Sequence, residues 1–378
     1  MSLKKLFTAA ILTMCVAGTA FAAEPIKIGI YQPLTGQNAF AGQLEVDGVR
    51  LAHKLKPTVL GRNVELVVVD NKSDKVESAN AVTRLTSKDK VVGIIGTYAS
   101  SLAMAGGEVA EEAKVPCIAT SATNPLVTEG KKYYFRACFI DPYQGAGAAT
   151  YAFRDLGFKK AAILQDVVSD YGVGLARFFE QSFKKLGGEI VAKLNYQSGD
   201  QDFTAQLTDI ISKNPDVLYI PAYFAEGAII MKQVRELGGK FRIMGGDAMD
   251  NPDVVSIGGD AVEGFLITAF AYAATMPNMN PLAKEFTDAW YAEYPDKEPN
   301  MNSALAYTAY MMFMYAIEKS GSADPQAITD ALAAMKDLPT IFGPMTMDEN
   351  HNPLNPVIGL IEVKDGKRQY IGEVVPAI

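Results

Sequence analysis

Two short turns rich in hydroxyls follow apolar runs in the first third of the chain. After VVGIIG (91–96) comes Thr97-Tyr98-Ala99-Ser100-Ser101, directly before a helical pattern. After PCIAT (116–120) comes Ser121-Ala122-Thr123-Asn124-Pro125. A helix N-terminus offers free backbone N–H groups and the positive end of its dipole, so the first turn suits a carboxylate, with Ser100 and Ser101 adding hydroxyl donors. One Ser in such a place can be no more than a helix cap. Two such turns facing one cleft favour an anion site. Farther along, Tyr171 follows KAAILQ (160–165) in SDYGVG, Tyr223 follows VLYIP (217–221) in PAYFAEG, and Asp247 follows FRIMGG (241–246) in GGDAMD. One carboxylate and two phenols can receive an ammonium group, through charge pairing and cation–π attraction. Asp247 alone reads as a turn or capping residue; as part of this set it reads as a binding residue.

Catalytic signatures are missing. The chain has no G-x-S-x-G elbow, Walker A loop, H-E-x-x-H or C-x-x-C. It has two His, with His53 inside a helical pattern (LAHKLK) and His351 in a turn (DENHNP), neither with a nucleophile nearby in sequence. Residues far apart in sequence can converge in space, so the expectation of a non-enzyme rests on these missing motifs. No metal or cofactor is expected, and GAGAA (145–149) does not follow a strand as a dinucleotide loop would. A formal net charge of -8 argues against nucleic acid or an anionic membrane as partner, because phosphate binding needs a basic face.

The elements that would position these residues alternate. IKIGIY (26–31), VELVVVD (64–70), VVGIIG, PCIAT and YYFRACF (133–139) read as strands, with helical stretches near 42–55 and 74–87 and through LAMAGGEVAEEA. Nearly continuous apolar strands are expected when helices cover both faces of a parallel sheet. The same alternation repeats with a helix over 144–156, the strand KAAILQ, a helix over 172–186, and then EIVAKL, VLYIP, FRIMGG and FLITAF (265–270). The fold class is therefore α/β, built as two doubly wound units. Helices at 281–293, 302–319 and 325–336 and short strands at 342–347, 357–363 and 368–374 leave no room for a third unit. This tail is expected to return and complete the first two, giving a hinged pair with a cleft. A length of 378 residues agrees with two domains.

Residues 1–22 stand apart. Lys4 and Lys5 precede the apolar run LFTAAILTMCVAGTA, which ends in Ala20-Phe21-Ala22. This reads as a cleavable signal peptide and places the mature protein in a periplasm. Cys117 and Cys138 then remain; the compartment permits a disulfide, while their apolar surroundings favour two buried thiols.

Taken in order, IKIGIYQPLTGQNAFAGQLEVDGVRLA, GTYASS, ATSATNP, DYGVGLA, PAYFAEG and GGD resemble the periplasmic substrate-binding proteins of ABC transporters for branched-chain amino acids, the leucine/isoleucine/valine-binding family. The resemblance runs through nearly the whole mature chain. It implies a type I periplasmic binding protein, with two Rossmann-like lobes joined by three crossings, lobe 1 over 24–141 plus 270–355 and lobe 2 over 142–269 plus 356–378. By position it puts the carboxylate-binding serine on Ser100, a second turn on Ser121 and Thr123, the tyrosines of the second lobe on Tyr171 and Tyr223, and the ammonium-binding acid on Asp247. Family members often carry Glu there. Phe40 falls beside the ligand's side chain, and Tyr98 would narrow the pocket. The implied partners are an aliphatic amino acid and ABC permease subunits, with a monomer expected. Relatives that bind amides, urea or aromatic acids, and sensory ectodomains using the same trap, remain open alternatives. An acid beside a carboxylate site favours a zwitterion over neutral amides, which do not need the acid, and over aromatic acids, which it repels; the sensory reading differs by its partner.

Overall fold

The computed structural model describes residues 24–354 and 357–377. The proposed signal peptide lies outside them. Among the described residues no helix is long and apolar enough to cross a membrane.

The first lobe opens with β1 (Ile26–Gln32), α1 (Ala39–Leu55), β2 (Thr58–Val59), β3 (Arg62–Asp70), α2 (Lys75–Arg84), β4 (Gly93–Ile95), α3 (Ser100–Ala113), β5 (Cys117–Ala119) and β6 (Tyr134–Arg136). Their sheet has the order β2-β3-β1-β4-β5-β6. The pairings are parallel apart from the short β2–β3 pair. The second lobe holds α4 (Asp141–Thr150), β7 (Lys160–Asp166), α5 (Asp170–Lys185), β8 (Glu189–Tyr196), α6 (Thr204–Ser212), β9 (Val217–Ile220), α7 (Phe224–Glu236), β10 (Arg242–Gly245), α8 (Asp253–Gly258) and β11 (Leu266–Phe270). The chain then builds α9 (Pro281–Glu293), α10 (Met301–Ser320), α11 (Pro325–Ala333) and the β12–β13 hairpin (Leu338–Thr340, Gly343–Met345) on the first lobe. It returns to the second with β14 (Ile358–Lys364) and β15 (Lys367–Val374). The second sheet runs β15-β14-β11-β10-β9-β7-β8, with β14 and β15 antiparallel. Three crossings thus join the lobes. On two of them Phe139 and Phe270 stack with ring centroids 3.8 Å apart.

The apolar strands are buried as their composition requires. β9 reads VLYI with every residue buried, and β7 is buried at all but its first. Polar caps fix where helices begin: Asp74 accepts from the Val76 and Glu77 amides at the start of α2, Ser169 from Gly172 at α5, and Asn300 closes a capping box at α10. Several boundaries differ from the sequence reading: the helix expected over 144–156 begins at Asp141, and the strand expected over 342–347 is Gly343–Met345, paired with Leu338–Thr340. Two others have a local reason. The helix expected from Gly42 starts at Ala39, and Gly42 lies inside it where a Cβ would sit 2.0 Å from the Pro33 carbonyl oxygen. The strand expected over 133–139 ends at Arg136, because the next residues leave the sheet to cross to the other lobe. GAGAA belongs to α4, where a Cβ on Gly145 would meet the backbone of α5 at 2.7 Å. Its glycines serve helix contact.

Each sheet contains a 2-1-3-4-5 strand order, β3-β1-β4-β5-β6 and β8-β7-β9-β10-β11. In this order the crevice for ligands opens where the winding reverses, at β1/β4 and at β7/β9. The turns carrying the candidate residues lie at or beside these two crevices, and the lobes bring them face to face.

Candidate functional site

On the first lobe the turn after β4 is organised by Gln32, at the end of β1. Its Oε1 accepts from the Tyr98 amide (2.9 Å) and the Thr97 hydroxyl (3.1 Å), and Asn71 donates to Thr97 (2.9 Å). Gly96 is required here: its φ is +140° and a Cβ would meet the Tyr31 carbonyl oxygen at 2.2 Å. This delivers Ser100 to the first turn of α3, fully buried. Its hydroxyl oxygen accepts from the Asn124 amide (3.1 Å), which ties the two hydroxyl-bearing turns side by side. Thr123 is buried and its hydroxyl has no protein partner. Ser121 behaves otherwise, since its hydroxyl and that of Thr120 both donate to the Glu45 carboxylate.

The second turn is fixed from beneath by a buried arginine. Arg136 donates to the carbonyl oxygens of Ala122 (2.8 Å) and Asn124 (3.0 Å) and to the Thr128 hydroxyl (3.0 Å). At the first crossing, the Asp141 amide donates to the Thr123 carbonyl oxygen (2.9 Å). Both Asp141 carboxylate oxygens are buried without a protein partner.

From the second lobe, Asp247 follows β10 and is buried, with Oδ1 accepting from the Tyr171 hydroxyl (2.9 Å). A Cβ on Gly246 would lie 2.3 Å from that hydroxyl, so glycine is what lets Tyr171 reach the acid. Tyr171 and Tyr223 stack at 5.6 Å, and Tyr223 meets Tyr98 of the first lobe at 5.6 Å. Phe40 meets Phe224 across the cleft at 6.0 Å. Contacts thus link Tyr98, Tyr223, Tyr171 and Asp247 from lobe to lobe, Phe40 faces Phe224, and Ser100 and Thr123 sit on the two adjoining first-lobe turns. Ser121 lies beside them but is engaged with Glu45. Ser101 bridges the lobes by donating to Asp170 (2.7 Å).

The electrostatics are lopsided. Burial pushes Glu45 and Asp141 up to about 8, and Asp247 up to about 6 against the opposing hydroxyl bond from Tyr171. Burial also raises the phenols of Tyr98 and Tyr171, so they remain neutral donors. Arg136 spends hydrogen bonds on backbone carbonyls. Arg136 is near enough to ease the ionisation of Asp141 but forms no ion pair with it, and buried carboxyls so placed favour a guest that brings a cation, while the Ser100 and Thr123 turns can take its anion. Neither His joins them: His351 stacks on Phe135 at 4.1 Å, and His53 packs edge-on against Tyr310. Both cysteines are buried free thiols, raised by burial, Cys138 to about 12.

Glu45, Asp141, Arg136 and Gln32 escaped the sequence reading. Glu45 and Asp141 look like ordinary helix carboxylates (QLEVD, IDPYQ), and only the fold shows that they are buried. A residue-level signal existed for Asp141, an acid just before Pro at a helix start, but it also describes a solvent-exposed cap.

A family profile described as periplasmic binding protein matches residues 25–368. The Leu/Ile/Val-binding protein BraC3 of Rhizobium johnstonii is 30% identical over 373 residues, covering 97% of this chain and 99% of its own. Among solved structures, the leucine binding protein LivK of Thermotoga maritima is 41% identical with a TM-score of 0.89, over 93% of this chain and 99% of that one. The branched-chain amino acid transporter substrate binding protein LivJ of Streptococcus pneumoniae, in complex with isoleucine, is 31% identical with a TM-score of 0.87, over 93% and 100%. Two α/β lobes meeting at opposed sheet crevices, with a match across nearly the whole described chain, identify the molecule: it belongs to the periplasmic binding protein family.

Proposed function

We propose that the protein captures an aliphatic α-amino acid, of the leucine, isoleucine or valine type, and delivers it outside the cytoplasm to an ABC permease. The observation that supports this is a buried acid, Asp247, facing a first-lobe turn whose buried Thr123 hydroxyl is unsatisfied, with the unsatisfied Asp141 carboxylate at the crossing between them. A zwitterion fits both sides. Its carboxylate lies against the Ser100 and Thr123 turns at the N-terminus of α3. Its ammonium lies against Asp247, with Asp141 as a second acid and the faces of Tyr171 and Tyr223 alongside. Phe40, Tyr98 and Phe224 provide the apolar wall for the side chain. Ser121 acts through its backbone and through Glu45. The lobes, taken as 24–141 plus 270–355 and 142–269 plus 356–378, close as rigid bodies about the three crossings. The closed monomer is what the permease meets. No turnover is expected, and the ligand is recovered unchanged.

Calorimetry against amino acids, amides and benzoates tests the reading. Binding of leucine, isoleucine or valine without binding of their amides or of benzoate is the expected result. Binding of benzoate or amides with no response to any α-amino acid would overturn it.

A further inference from the structure

Asp170 opens α5 on the second lobe, beside the ligand-facing Tyr171. Three first-lobe residues hold it. Ser101 donates its hydroxyl to the carboxylate (2.7 Å) and also lies 3.2 Å from the Asp170 amide. Asn124 donates through Nδ2 to the Asp170 carbonyl oxygen (2.8 Å). Lys75, from α2, pairs with the carboxylate at 3.1 Å. The approach is close: a Cβ on Gly174, one turn along α5, would lie 2.8 Å from Asn124 Nδ2.

We propose that Asp170 is a latch between the lobes, a positioning residue that acts through Ser101, Asn124 and Lys75 and sets how long a bound ligand is held. The proposal rests on the closing reading given above. Helices α3 and α5 point their N-termini at the same seam, and two positive dipole ends there would oppose closure. The Asp170 carboxylate lies between them and turns that opposition into attraction. The latch is also linked in sequence to the ligand site on both lobes, as Ser101 follows Ser100 and Asp170 precedes Tyr171. Ligand contact at Ser100 and Tyr171 therefore brings the latch partners into register. Lys75 and Asp170 are 56% and 42% exposed, so their ion pair adds little. The part-buried Ser101 bond to a carboxylate carries the effect, as charge-assisted bonds are the stronger class.

The test uses Ser101→Ala, Asp170→Asn, the double variant and Gly174→Ala, with leucine association and dissociation followed by stopped flow and ligand-free unfolding followed by calorimetry. Each latch variant is expected to dissociate about tenfold faster, with association within twofold of the parent. The double variant should add little to either single one, because both remove the same bond. Gly174→Ala, which wedges the seam without touching Asp170, should also speed dissociation. Dissociation of Ser101→Ala within twofold of the parent, or latch variants that slow association and unfold early without ligand, would overturn the latch. If the parent protein ignores leucine but closes on benzoate, the amino-acid reading falls, and the same variants measured with benzoate decide the latch separately. Closure on no compound of the panel would overturn both.

Discussion

Asp247→Asn separates the charge of the site from its shape. Asparagine fills the same space, can still accept from the Tyr171 hydroxyl, and can offer a ligand ammonium one neutral acceptor. What it loses is the charge. Burial lifts Asp247 from 3.8 to about 6, which is about 3 kcal/mol held against ionisation, taking 1.36 kcal/mol for each tenfold. That cost is carried by folding, since well above pH 6 the carboxylate is already ionised when the ligand arrives. Removing one partner of a buried charge pair costs about 2–5 kcal/mol. Because asparagine keeps a neutral acceptor for the ammonium, the lower end applies, about 2 kcal/mol or roughly thirtyfold in affinity near pH 7.5. The sign of the pH dependence follows. As pH falls through 6 the parent carboxylate takes up a proton that the ligand must displace, so its affinity declines by up to about tenfold per unit. The asparagine variant has no such proton. Its deficit should therefore shrink to about threefold near pH 5. Isothermal titration with leucine at three pH values reads both slopes. An asparagine variant within threefold of the parent at pH 7.5, or a deficit equally large at both ends of the range, would refute the placement of Asp247 against the ammonium.

The other predictions rest on different contacts. Thr123→Val should weaken leucine about tenfold while changing ligand-free unfolding little, because the hydroxyl makes no well-formed hydrogen bond within the protein and only eases the ionisation of nearby Asp141; calorimetry measures both. Asp141→Asn should raise the ligand-free melting temperature near pH 8.5 and raise it much less near pH 5. A carboxyl raised to about 8 contributes stability below its unfolded value that is lost as pH rises through 8, and thermal scans at the two pH values check the difference. Gly48→Ala should destabilise by about 1–3 kcal/mol, since a Cβ there would lie 2.2 Å from the Ser303 carbonyl oxygen at the α1–α10 crossing; urea unfolding is the assay.

Much of this molecule is written locally. Apolar runs such as VLYI and KAAILQ make buried parallel strands and little else, and the turns after them carry the polar residues at the expected ends. That is why Ser100, Thr123, Tyr171 and Asp247 stood out as candidates from their places after such runs. What local pattern could not show is partnership. Ser121 and Ser101 carry the same hydroxyl as Ser100, yet one is spent on Glu45 and the other on Asp170, through contacts 76 and 69 residues away in sequence. The buried state of Glu45 and Asp141 depends on the packing of whole lobes. Helix ends slipped for a related reason: Gly42 reads as a helix boundary and is instead a close-approach residue.

The second sheet is finished at one edge by β14 and β15, which follow every other strand in the chain. Strand β11 lacks its neighbour on that side until residues 358–374 have been synthesised. A chain halted before that point leaves β11 with an unpaired, apolar edge, which invites pairing with another chain. Removing the terminal hairpin should therefore leave the second lobe with an open edge, however intact the rest remains.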